Sequence, residues 1–172
     1  MCLFWLVPSS GSSERLAEQV ASTKFVEDRQ VFIDLDLKSR EEVLDFLGHK
    51  AVEVSFADDA AEVKRAFYER ECLGETGMID GFAVPHAKSE AIKRAGILFI
   101  RLYQPVEWPS FDNVAVDVIL ALLVPAEQAG TTHIKLLSKC AVMLMDESFR
   151  RDMRQLSSAE QIAKRINQGI ES

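Results

Sequence analysis

Residues 114–124 read VAVDVILALLV, an almost unbroken apolar run that Pro125 stops. It falls short of the roughly 18 apolar residues that a bilayer crossing needs. A strand this apolar must be covered on both faces, as in the middle of a layered α/β sheet. Its surroundings agree. Residues 31–37 alternate apolar and other side chains, the pattern of a half-buried strand. Residues 96–103 hold the β-prone Ile97-Leu98-Phe99-Ile100 and read as another strand. Helices are expected over 13–22, from the Ser39/Glu42 capping pair onwards, and from Asp59/Glu62 to near Cys72. Three more are expected over 131–145, over 147–156, and after a Ser157/Glu160 box. Residues 74–81, GETGMIDG, read as a loop. Interleaved helices and strands make the fold class α/β, with helices packed against a sheet.

The chain has 172 residues, enough for one domain with one core. Residues 1–25, an apolar start followed by SSGSS and a helical pattern, are set apart as an N-terminal arm. The domain is expected over 26–172. Met1 to Pro8 lacks a basic n-region and is short for a signal peptide. The net charge of −7 and the lack of a Lys/Arg run argue against a nucleic-acid partner. Cys2, Cys72 and Cys140 form no CxxC pair, and three scattered cysteines fit a reducing, cytoplasmic compartment.

Reactive side chains are few. Of three histidines, His86 follows the short apolar stretch Gly81-Phe82-Ala83-Val84-Pro85. Pro85 fixes its own φ and biases Val84 towards an extended shape, so His86 would stand at a strand end on stiff backbone. That suits a nucleophile that must be aimed; a turn histidine without a task is the plainer reading. Arg70 shares a helix face with Val63 and Phe67 and could turn its planar fork of donors to a phosphate. A cation at a helix C-terminus, paired with Glu71, is the plainer reading. His133 falls in the first turn of a helix, in line with Leu137, Cys140 and Leu144. Free N–H groups there attract anions, with Thr131 and Thr132 at hand as caps. A satisfied core histidine is the alternative. His49 has no such company and reads as surface.

Taken together, Tyr68-Glu69-Arg70-Glu71, Gly74-Glu75-Thr76-Gly77 and Gly81-Phe82-Ala83-Val84-Pro85-His86 resemble the enzyme IIA domain of the fructose/mannitol type, from the bacterial phosphoenolpyruvate-dependent sugar phosphotransferase system. The apolar strand ending in Val124-Pro125 and the later His133-Ile134-Lys135-Leu136-Leu137 fit the same family. The resemblance spans roughly residues 30 to 168. It implies a mixed β-sheet flanked by α-helices, a three-layer sandwich. It implies that His86 is the phosphorylated histidine, that Arg70 steadies the phosphoryl group, that His133 lies beside His86 and that the Thr76 hydroxyl is near the site. It implies a histidine-containing phosphocarrier protein as donor and an enzyme IIB as acceptor, no cofactor, no membrane insertion, and association at most with a membrane permease complex. The nitrogen-related regulatory branch is similar too, and would signal phosphorylation state to a transporter, sensor or transcription factor.

The sequence departs from the family in Gly77-Met78-Ile79-Asp80-Gly81, where Gly-Ile-Gly is usual. The Asp80 carboxylate would disturb a phosphoryl site unless it points outward. Two rivals use the same residues differently. A Cys72 hydrolase would need its thiol against His86 or His133, and the C-terminal end of a helix disfavours a thiolate. A metal held by His86 and His133 would lack further ligands.

Overall fold

In the computed structural model of the protein, which describes residues 24–128 and 130–172, the apolar run becomes a central strand. The N-terminal arm up to residue 23, with the helix expected over 13–22, lies outside the described residues. The strands are β1 (Val31–Leu35), β2 (Phe82–Ala83), β3 (His86–Ser89), β4 (Gly96–Val106) and β5 (Val116–Pro125). The helices are α1 (Arg40–Glu53), α2 (Ala60–Cys72), α3 (Thr132–Met145), α4 (Glu147–Gln155) and α5 (Ala159–Glu171). The sheet is mixed: β1 runs parallel to β4, β4 antiparallel to β5, and β2 and β3 both parallel to β5.

Side chains alternate along β5, so each face meets its own layer of helices. Ile119, Ala121 and Leu123 pack with Val43, Leu44, Leu47, Val63 and Phe67 of α1 and α2. Val118, Leu120 and Leu122 pack with Leu136, Cys140 and Leu144 of α3, Phe149 and Met153 of α4, and Ile162 and Ile166 of α5. Only Asp117 in β5 is less than fully buried. The strand is covered on both faces, as its composition requires, and the result is the three-layer α/β sandwich that the resemblance implies.

Local chemistry sets the ends of the elements, with some departures from expectation. Ser39 Oγ accepts from Glu42 N (3.1 Å), but Glu42 reaches past the cap to the Lys38 N–H (2.7 Å), so the box is not reciprocal. Asp59 accepts from Glu62 N as expected. The last helix is capped by Ser158, one residue later than the Ser157/Glu160 pattern suggests. Strand β1 ends at Leu35, after a register shift and a positive φ of 57° at Asp34. Thr131 stands at the N-cap of α3 but makes no side-chain cap hydrogen bond. Arg101 Nη1 donates to the carbonyls of Met153, Arg154 and Leu156 (3.2, 3.1 and 2.7 Å), tying the end of α4 to β4.

The edge strand departs most. His86 does not follow a strand's end; it opens β3. Phe82 pairs with Val118 and His86 with Leu122, so β2 and β3 hold one register along β5. Pro85 lacks an N–H and interrupts the edge without shifting it, while its carbonyl accepts from Leu122 N (2.9 Å). The interruption leaves His86 on the same side as Phe82 and Val84, towards α3.

Leu120 is fully buried at the centre of the sheet. Leu120→Ala is expected to cost about 3 kcal/mol through lost transfer and a residual cavity. Urea unfolding should show a lower midpoint with an unchanged m-value.

Candidate functional site

Three side chains from distant parts of the chain meet at the β3 edge. Arg70, at the end of α2, donates from Nε to His86 Nε2 (2.7 Å) and from Nη1 to the Gly74 carbonyl (3.0 Å). It does not hydrogen-bond Glu71, the partner that the plainer sequence reading gives it. The His133 ring, in the first turn of α3, lies with its centroid 4.9 Å from that of His86, tilted by 46°. His49 is on the surface, near Asp45.

These contacts fix the tautomer of His86. An arginine N–H can only donate, so Nε2 must accept. Nδ1 therefore carries the proton and donates it to the Val84 carbonyl (3.0 Å). The pKa agrees, being lowered to about 4. Burial is the main cause, and the charges of Arg70 and His133 add to it, against the Val84 carbonyl, which favours the protonated form. His86 is 7% exposed, so it offers a partner little more than one edge of the ring.

The turn before His86 is built tightly. Met78 N donates to the Phe82 carbonyl (2.7 Å) and Phe82 N to the Ile79 carbonyl (3.2 Å). Asp80 and Gly81 between them have φ of 55° and 76°. Positive φ at both central residues is the mark of a I′ hairpin turn, for which Asp-Gly is a favoured pair. Gly77 is bridged by Ala83 on one side and Ser110 on the other, and a Cβ there would collide with the Pro109 carbonyl and Ser110. Asp80 points away from the imidazole. Its carboxylate meets Arg150 Nε (2.9 Å) and Arg154 Nη1 (3.2 Å) on α4. Burial works against its charge, but the two arginines outweigh it and hold the carboxyl below its ordinary value.

Thr76 is buried, and its hydroxyl donates to Glu71 Oε1 and accepts from Trp108 Nε1 (3.2 Å). Its carbonyl, not its hydroxyl, continues towards the imidazole, by accepting from Val84 N (2.9 Å). Sequence reasoning misses Glu71 and Trp108 as site residues. The Glu71 side chain is 4% exposed, and burial raises its carboxyl above the ordinary range against the opposing pull of Thr76, Arg40 and Arg70.

Cys72 is exposed at the end of α2. Both ring nitrogens of His86 are engaged by Val84 and Arg70, which leaves no place for a thiol. Among the described residues no cluster of three or more His, Cys, Asp or Glu could hold a metal ion. No helix among them is long and apolar enough to cross a membrane.

Two outcomes follow from the His86 environment. Its ring ¹⁵N signals should stay those of the Nδ1–H tautomer from pH 8 to pH 5.5 and titrate near pH 4. The folded pKa lies below the ordinary value of 6.5, so the unfolded chain takes up the proton first. The group's contribution is whole above pH 6.5 and is lost as pH falls towards 4, on the order of 3 kcal/mol in all. Unfolding curves of His86→Gln across that window should lack this slope.

Comparison with known proteins gives the geometry its context. The family described as "Phosphoenolpyruvate-dependent sugar phosphotransferase system, EIIA 2" matches residues 24–169. A nitrogen regulatory protein of Bradyrhizobium diazoefficiens is 32% identical over 140 residues, covering 81% of this chain and 90% of that protein. The 2-O-alpha-mannosyl-D-glycerate-specific EIIABC component of Escherichia coli is 30% identical over 130 residues, 75% of this chain but only 20% of that protein. The crystal structure of nitrogen regulatory protein IIA-Ntr from Neisseria meningitidis superposes with a TM-score of 0.77 at 30% identity, covering 83% of this chain and 96% of that one. IIA mannitol from Escherichia coli, at 19% identity and a TM-score of 0.68, shares the fold. With a family match across nearly all the described residues and this fold beneath it, the chain belongs to the EIIA 2 family of the phosphoenolpyruvate-dependent sugar phosphotransferase system.

Proposed function

We propose that the protein carries a phosphoryl group on Nε2 of His86, taking it from the phosphohistidine of a small histidine-containing phosphocarrier protein and giving it to an enzyme IIB. The observation that carries this reading is the 2.7 Å contact of Arg70 Nε with His86 Nε2. It marks Nε2 as the nitrogen with the lone pair, and a permanent cation beside that nitrogen supports the reading that phosphoryl oxygens are received there.

The steps follow from that arrangement. The donor docks with its phosphorus in line with Nε2. The Nε2–P bond forms as the donor's N–P bond breaks, with charge spread over three equatorial oxygens. Arg70 gives up its hydrogen bond to the ring and turns the same N–H towards those oxygens. His133, beside the ring, offers a second contact to them. Nδ1–H stays on the Val84 carbonyl, so the ring does not rotate during the transfer. A pKa near 4 keeps His86 a neutral nucleophile throughout the neutral range. Catalysis is then mostly positioning and charge stabilisation, for which no cofactor is needed.

Two destinations for the group are supported by different relatives. Sugar uptake is supported by the family match and by the EIIABC relative, of which this chain spans a fifth. A regulatory role is supported by the nitrogen regulatory protein, of which this chain spans nine tenths. Transfer from the phosphorylated protein to a purified enzyme IIB favours uptake. Capture of a sensor or potassium transporter, with no transfer to any IIB, favours regulation.

Phosphoenolpyruvate, enzyme I and the phosphocarrier protein should place one acid-labile phosphoryl group on the wild type and none on His86→Ala. Equal labelling of the two would remove His86 from the reaction. Arg70→Ala should keep the fold and transfer about 10²-fold more slowly in stopped-time labelling.

A further inference from the structure

Glu71 is adjacent to the site and touches none of the reacting atoms, yet it is placed at a cost. Its carboxylate is buried, and its second oxygen, Oε2, has no hydrogen-bond partner. The Arg40 guanidinium lies 3.9 Å away, beyond hydrogen-bond reach. A buried carboxylate with one oxygen unsatisfied opposes folding, and an apolar side chain of similar size would pack there more cheaply.

Its other oxygen belongs to a closed circuit. Glu71 Oε1 accepts the Thr76 hydroxyl. The Thr76 carbonyl accepts Val84 N–H (2.9 Å). The Val84 carbonyl accepts His86 Nδ1–H (3.0 Å), and His86 Nε2 accepts Arg70 Nε–H (2.7 Å). Arg70 is covalently joined to Glu71, which closes the ring. Trp108 holds the Thr76 oxygen from outside the circuit (3.2 Å). Both the group that orients the imidazole and the group that faces its nucleophilic nitrogen thus run back to one turn at the end of α2.

We propose that Glu71 is a positioning residue for phosphoryl transfer at His86, acting through Thr76 and Val84 to hold the imidazole in the Nδ1–H tautomer and at a fixed angle to Arg70. The proposal rests on the phosphocarrier reading for its kinetic consequence, but its structural consequence is read on the unphosphorylated protein. Glu71 moves no proton and forms no bond to phosphorus. Its acceptor oxygen pins the Thr76 hydroxyl, which fixes the Thr76 carbonyl, and the carbonyl sets the position of Val84.

The test compares Glu71→Leu, Glu71→Gln, Thr76→Val and Thr76→Ser in the full chain. One readout is the pair of His86 ring ¹⁵N shifts at pH 7; the other is kcat and KM for the phosphorylated phosphocarrier protein. Glu71→Leu and Thr76→Val remove the acceptor and the donor of the same bond. Each should move the two ring ¹⁵N shifts towards each other, as the tautomers mix. Each should lower kcat about tenfold with KM little changed. Glu71→Gln and Thr76→Ser keep the bond and should stay near wild type in both. Combining Glu71→Leu with Thr76→Val should be no worse than Thr76→Val alone, because Thr76→Val already removes the bond to Glu71 along with the acceptor of Trp108 Nε1. Wild-type ring shifts and kcat in Glu71→Leu and Thr76→Val would overturn the proposal. So would equal damage in the Gln and Ser variants, which would make the two side chains space-fillers. Should Glu71→Leu not fold, the Thr76 pair decides by the same criteria. A wild type that accepts no phosphoryl group, with ring shifts that still respond as stated, would refute the carrier reading and uphold the positioning one.

Discussion

Strand β5 offers water almost no face, and the arrangement of the molecule follows from that constraint. Burying both sides of an apolar strand requires a layer of helices on each. The two layers come from different parts of the sequence: α1 and α2 precede β2 and β3, and α3 to α5 follow β5. Only along the sheet's edge can groups from both layers meet. There the end of α2 supplies Arg70, the start of α3 supplies His133, and β3 brings His86 between them. The register of the edge strand on β5 sets the height at which they meet, and Pro85 keeps that register while breaking the ladder.

The electrostatics of the meeting point are unusual for a pair of basic residues. A guanidinium against an imidazole would be repulsive if both were charged. The structure avoids this by making the imidazole neutral, with burial as the leading cause. Neutrality gives Nε2 a lone pair, and the Val84 carbonyl decides which nitrogen has it. Basicity towards protons is thereby reduced, while in the proposed transfer the adjacent cation would favour a dianionic phosphoryl group over a proton. One arrangement thus separates two electrophiles that an ordinary surface histidine would hardly distinguish.

Much of this is legible in the sequence, and the rest has physical reasons for being hidden. The composition of 114–124 announces a doubly covered strand. The face shared by Val63, Phe67 and Arg70 announces an arginine turned inward, and it does turn in, to His86. What cannot be read is backbone acceptance: no side chain signals that the Val84 carbonyl takes a ring N–H, or that the Thr76 carbonyl takes Val84 N–H. Glu71 stands out in the sequence only as a neighbour of Arg70, because charge pairing is the first expectation for adjacent opposite charges. In a helix, adjacent residues diverge by about 100°, and here one turns to the ring and the other to Thr76. The Asp80-Gly81 pair is a hairpin signal inside a stretch that reads as loop. It explains why an acidic residue is tolerated so close to the site: the turn aims it at α4.

The tether of Asp80 to Arg150 and Arg154 has a consequence if, as proposed, the molecule meets two proteins in succession. The rim of the site is ordered before any visitor comes, so an encounter need not freeze a mobile flap. Little association energy is diverted into ordering, and a modest contact area can suffice for a brief stop. Short residence suits a relay, which gains nothing by holding on to either neighbour. The rim is fastened by partly solvated ion pairs, so its stiffness should soften with ionic strength, in contrast to the apolar layers beneath it.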